Sequence, residues 1–125
     1  MKLTKEYIAG FTDGEGYIGI EKKKDNRIKR GYSIRFRIEL VNQYKELLEA
    51  IQKKYGGRLW LKINQKQCWQ LTIERKQQVF IFLKDIAPFL IVKKEKAMRL
   101  IGYIQERKSM KGRGKQLSKE ELENF

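Results

Sequence analysis

The sequence predicts an α+β fold in the order α-β-β-α-β-β-α, with a four-stranded antiparallel sheet and helices on one of its faces. Three observations lead there. Four stretches alternate apolar and polar residues with period two, and polar residues join them in two pairs. Segments of helical period stand before, between and after those pairs, and glycine pairs mark points where a helix gives way to a strand.

Thr4 is an N-cap for a first helix running to about Asp13, with Glu6 in its first turn. From Tyr17 to Lys23 the chain alternates, Ile18 and Ile20 opposing Gly19, Glu21 and Lys23. Residues 24–31 are polar and read as a hairpin loop. Between Tyr32 and Leu40 the apolar face is Ile34, Phe36, Ile38 and Leu40; the opposite face is Ser33, Arg35, Arg37 and Glu39. Asn42 is placed to cap a second helix over 43–55, whose apolar stripe is Leu47, Leu48, Ile51 and Tyr55 and whose end is Gly56-Gly57. Strands near 58–63 and 68–74 follow. In them Trp60 and Lys62 alternate with Leu59 and Leu61, while Cys68, Gln70 and Thr72 alternate with Trp69, Leu71 and Ile73. A third helix covers about 76–86, broken by Ala87-Pro88, and a fourth runs from about Lys94 to Arg107. Residues 1–107 thus form one domain. Residues 108–125 add a basic linker and a short helix, opened by the capping-box pattern Ser118-Lys119-Glu120-Glu121.

A sheet with helices on one face leaves its other face solvated. That face carries Glu21, Lys23, Ser33, Arg35, Arg37, Glu39, Trp60, Lys62, Cys68, Gln70 and Thr72. A two-stranded ribbon fits the major groove of B-DNA, so a basic, donor-rich sheet is a base reader in kind. A register slip of one residue would instead send Trp60 into the core. The whole chain is strongly basic: 29 Lys and Arg against 15 Asp and Glu give a net charge of +14 over 125 residues. Such a field favours polyanions, nucleic acid first and an anionic membrane surface second. No run of 18 apolar residues and no signal-peptide core occur, so no membrane partner is expected and an intracellular setting is: the cytoplasm or nucleoid of a prokaryote, or an organelle. A single cysteine, Cys68, excludes an internal disulfide and a cysteine metal cluster. With no histidine in the chain, His-based acid–base catalysis, His-ligated zinc and Ser-His-Asp triads are excluded. Catalysis must then use carboxylates, lysines and a borrowed metal.

The chain is organised around residues 7–16. Gly10 and Gly14 share one helix face four residues apart, a face without side chains that admits another backbone closely. Glu15 follows at the helix C-terminus, where the macrodipole disfavours a negative charge unless a cation meets it. Ordinary packing inside a monomer, and a solvated turn at Glu15, are the plainer readings of the same residues. The loop Asp13-Gly14-Glu15-Gly16 is not a calcium loop, because the twelfth position holds Lys24.

The stretch Ile8-Ala9-Gly10-Phe11-Thr12-Asp13-Gly14-Glu15-Gly16 resembles the motif of the LAGLIDADG homing endonucleases, and the order of elements across nearly the whole chain is also theirs. The resemblance implies a saddle-shaped sheet on double-stranded DNA, motif helices packed at the molecular centre, and motif acids that bind divalent metal, Mg2+ or Mn2+, over the scissile phosphates. It makes Glu15, with a backbone oxygen of Gly14, the metal ligand, and Asp13 a mainly structural acid. The stretch Pro88 to Lys93 resembles the one preceding the family's active-site lysine; this points to Lys93, with Lys94 and Lys96 close by. The polar residue at the end of the second strand, often Gln in relatives, falls on Asn42 or Gln43. Only one motif copy is present, so the resemblance implies a homodimer on a near-palindromic target, with Ile8, Gly10, Phe11, Asp13 and Gly14 at the interface. A non-cleaving relative of the same fold, either a maturase with intron RNA as partner or a DNA-binding regulator, is the alternative.

Overall fold

The structure, a computed structural model, describes residues 1–24, 26, 27, 29, 31–62 and 67–109. Its elements are α1 (Lys5–Glu15), β1 (Tyr17–Lys24), β2 (Tyr32–Asn42), α2 (Lys45–Tyr55), β3 (Arg58–Lys62), β4 (Cys68–Ile73), α3 (Lys76–Ile86) and α4 (Lys94–Ser109). A single 3-10 turn at Ala87–Phe89 separates the last two helices. The fold is α+β, as the alternation and helical periods predict. Among the described residues no helix is long and apolar enough to cross a membrane.

The four strands form one antiparallel sheet in the order β1-β2-β4-β3. Register aligns apolar residues into rows across it. Ile18 pairs with Ile38 and Ile38 with Ile73; Leu40 pairs with Leu71 and Leu71 with Leu59. Ile8 and Ala9 of α1, Leu48 and Ile51 of α2, Phe82 and Leu83 of α3, and Ala97 and Leu100 of α4 are buried in the same core. One apolar face on the sheet and one apolar stripe per helix meet there, which is how a two-layer domain removes both from water.

Local chemistry sets the ends of the elements. Thr4 Oγ1 accepts the Tyr7 N–H at 3.0 Å, so Thr4 is the N-cap that the sequence predicts. At the other end of α1 the Gly16 N–H reaches the Thr12 carbonyl (2.9 Å) and the chain turns straight into β1. A Cβ on Gly16 would lie 2.9 Å from both Leu40 Cδ2 and the Thr12 carbonyl oxygen, so only glycine lets the helix end sit this close to β2. Gly56 (φ +85°) and Gly57 (φ +104°) close α2 in left-handed conformations, as expected of a glycine C-cap.

Several boundaries differ from expectation. Helix α1 continues to Glu15, two residues past Asp13. Strand β2 continues to Asn42, paired with Trp69, so Asn42 is the end of a strand and not a helix cap. Its Oδ1 accepts the Tyr44 N–H (2.7 Å) in an Asx-type turn, and α2 starts at Lys45 with Tyr44 as N-cap. The expected linker and terminal helix lie outside the described residues from 110 onward, as does Ile63; Lys108 and Ser109 belong to α4.

Candidate active site and nucleic-acid interface

The last turn of α1 sends its two acids in different directions. Asp13 turns back into its own chain. Its Oδ2 accepts the N–H groups of Ile91 (2.8 Å) and Val92 (2.9 Å), and its Oδ1 accepts that of Lys93 (2.7 Å). Desolvation pushes this carboxyl's pKa up, but the three backbone N–H groups, helped by the Lys93 charge, outweigh it and hold the pKa below its ordinary value. Lys93 Nζ in turn donates to the Asp13 carbonyl at 2.5 Å. That carbonyl belongs to the final turn of a helix, where carbonyls lack intrahelical donors and a cation is favoured. Lys93 is therefore seated at the end of α1. Lys94 is exposed at the start of α4, and Lys96 sets its ammonium 5.7 Å from the Tyr17 ring centre.

Glu15, the last residue of α1, is exposed. It lines a groove of about 520 Å³ with Tyr7, Gly10, Phe11, Gly14 and Asn42. Asn42 lines the same groove as Glu15, while Gln43 is exposed and is not among the groove's lining residues. A Cβ built on Gly10 or Gly14 meets nothing within 4 Å, so this helix face is open in the single chain and the intramolecular-packing reading of the two glycines does not hold. One expected interface residue is corrected: Ile8 is 1% exposed and faces its own core, because it stands about 200° around the helix from Gly10. The Asp13 carboxylate is engaged by the 91–93 backbone of its own chain. Phe11 is half-buried, and Gly10 and Gly14 are exposed.

The outer face of the sheet has the predicted register. Trp60 pairs with Gln70 while Leu59 pairs with Leu71, so Trp60 lies on the outer side and no slip occurs. Glu21 faces Arg35, Lys23 faces Ser33, Glu39 faces Thr72 and Lys62 faces Cys68. Solvation across this face is uneven, however. Cys68, Gln70 and Thr72, expected in the open, are buried, with Gln70 at 4% and Thr72 at 2%. Thr72 Oγ1 accepts from both Gln70 Nε2 (3.0 Å) and Trp60 Nε1 (3.3 Å), so the indole reaches β4 and occupies an acceptor that a ligand would otherwise meet. Arg37 is held between Glu21 (3.1 Å) and Glu39 (2.8 Å), and Arg35 lies 3.6 Å from Glu74. Two further residues share the face, Arg58 opposite Thr72 and Tyr17 opposite Glu39. Arg58 was legible from its alternation with Trp60 and Lys62. Tyr17 was legible in the same way, standing two residues before Gly19 at the start of the first alternating strand.

The donor set suits a hard divalent cation in kind: Glu15 and the carbonyl of Gly14 are oxygen donors, and the Gly14 carbonyl belongs to the helix's unpaired last turn. Among the described residues no group of three or more His, Cys, Asp or Glu side chains converges to hold a metal.

An antiparallel sheet with a charged outer face, backed by helices and bordered by a glycine-faced helix that ends in an exposed carboxylate, defines the α+β architecture. The family model for LAGLIDADG endonuclease matches residues 8–105, and the chain belongs to that family. Solved structures agree on the fold. The homing endonuclease I-CvuI, in complex with the I-CreI target, has a TM-score of 0.73 at 19% identity, over 82% of this chain and 66% of that one. The archaeal intron-encoded homing endonuclease I-Vdi141I, complexed with DNA, gives 0.70 at 24% identity, over 82% of this chain and 67% of that one. The LAGLIDADG meganuclease I-CpaMI, bound to uncleaved DNA, gives 0.74 at 18% identity, over 97% of this chain but 41% of that one. The chain thus spans at most about two thirds of the length of these three relatives. No curated protein matches the chain significantly.

Proposed function

We propose that the chain is one half of a homodimeric homing endonuclease that hydrolyses one phosphodiester on each strand of a near-palindromic DNA target, using Mg2+ or Mn2+. One observation carries the proposal: α1 ends in the exposed carboxylate of Glu15 directly beside the open Gly10/Gly14 face. A second copy packed there through a two-fold axis places two Glu15 side chains near each other. Their mutual repulsion is relieved by cations, and phosphate oxygens of the DNA complete the ligand set. A divalent cation bound there polarises the phosphate and lowers the pKa of a bound water. The chain's own residues do the rest. Glu15 and the Gly14 carbonyl hold the charge, Lys93 stabilises negative charge developing on the phosphate, and Asn42 offers its amide to orient water. The net charge of +14 and the basic strands draw in the duplex.

Incubating the protein with Mg2+ and DNA carrying a candidate intron-insertion sequence tests the proposal. Double-strand cleavage is expected, reduced on the order of 10³-fold or more in Glu15→Gln, with DNA binding retained. Intact DNA from the wild type, with RNA-dependent splicing in its place, would transfer the assignment to a maturase.

A further inference from the structure

We propose that Asp13 is a positioning residue for Lys93, fixing that lysine at the end of α1 from both of its own ends. The inference rests on the endonuclease reading only for the reaction it serves; the placement itself stands on geometry. One carboxylate takes three consecutive backbone N–H groups, those of Ile91, Val92 and Lys93. Successive N–H groups converging on one anion form a nest, which defines the backbone that makes it. The Lys93 side chain then closes the loop in the other direction, donating to the backbone carbonyl of the same residue. Asp13 thereby holds Lys93 by main chain and by ammonium at once, across 80 residues of sequence.

Hydrophobic burial does not explain this conformation. Ile91 is 85% exposed and Val92 79%, so the segment hides almost none of its apolar surface. Leu90 and Ala97 are buried on either side and anchor its ends. Between them, the backbone N–H groups of residues 91, 92 and 93 all donate to Asp13. A free lysine side chain samples many rotamers, and one seated in advance loses less entropy on reaching its working position. Removing the Asp13 carboxylate therefore loosens a short segment and the lysine on it, while the core rows of the sheet stay in place.

The test compares wild type with Asp13→Ala, Lys93→Ala and the double variant. Amide hydrogen exchange over 90–94 is measured in the full chain without DNA, and single-turnover cleavage and DNA affinity in Ca2+ are measured alongside. Asp13→Ala is expected to speed exchange at 91–93 by at least about tenfold, as the loss of three charge-assisted bonds requires. Its cleavage rate is expected to fall roughly tenfold or more, with affinity for DNA unchanged, and the double variant to be no slower than Lys93→Ala alone. Losses that multiply in the double variant would show that Asp13 acts on stability or on Glu15 instead, and would overturn the inference. So would unchanged exchange at 91–93. If the wild type leaves DNA intact, the endonuclease reading fails, and the exchange arm still decides whether Asp13 places this segment.

Discussion

Gly10→Ala sets two energies against each other. In the isolated chain the new methyl meets nothing within 4 Å, and Gly10 lies in mid-helix without a positive φ. Alanine is better than glycine in a helix interior by about 1 kcal/mol, so the single chain gains roughly that much. For a domain of this size 1 kcal/mol corresponds to about 3–5 °C in melting temperature. In the proposed dimer the same methyl enters a seam that depends on bare backbone, and a two-fold axis places its copy on the facing helix. Overpacking of this kind costs roughly 1–3 kcal/mol, which raises the dimer dissociation constant about 5- to 150-fold. Thermal unfolding at concentrations too low for association isolates the first effect, and sedimentation across a concentration series isolates the second. A lower melting temperature in the dilute variant would refute the claim that this helix face is open. Unchanged association together with a raised melting temperature would refute the assignment of the seam to α1.

Two further outcomes follow from buried or paired groups. Asp13, whose carboxyl pKa lies below its ordinary value because three backbone N–H groups favour its charged form, contributes stability that is complete above its unfolded pKa of about 4 and is lost as pH falls through the depressed value. The melting-temperature gap between wild type and Asp13→Asn is therefore expected to be flat from pH 7 down to about 5 and to narrow progressively below about 4; a gap that widens as pH falls below about 4 would contradict it. Thr72→Val leaves the Gln70 amide and the Trp60 indole N–H without their shared acceptor, at a cost of about 1–3 kcal/mol, whereas Gln70→Leu removes a donor and is expected to cost less. Denaturant unfolding of the two variants checks the order.

How much of this was legible in the chain differs from residue to residue. The strands were legible because alternation such as Ile34-Arg35-Phe36-Arg37-Ile38 has one period and one consequence. The caps at Thr4 and Gly56 were legible because their chemistry is local. Asn42 was misplaced as a helix cap because an Asx-type turn uses the same side-chain oxygen for a neighbouring N–H, and a strand may continue up to it. Ile8 was misplaced because the motif reads as one unit, while a helix distributes its nine residues over all sides.

The sequence by itself determined the class of fold, the basic field and the exclusion of histidine chemistry, since these depend on period, charge and residue type. Tertiary structure alone decided which motif residues face inward, that Cys68, Gln70 and Thr72 are covered, and that Asp13 grips residues 80 positions away. The physical reason is that burial and long-range hydrogen bonding are properties of packed surfaces. Two acids two residues apart look alike in a chain, but on a helix they point about 200° apart, one back into its own fold and one out to solvent.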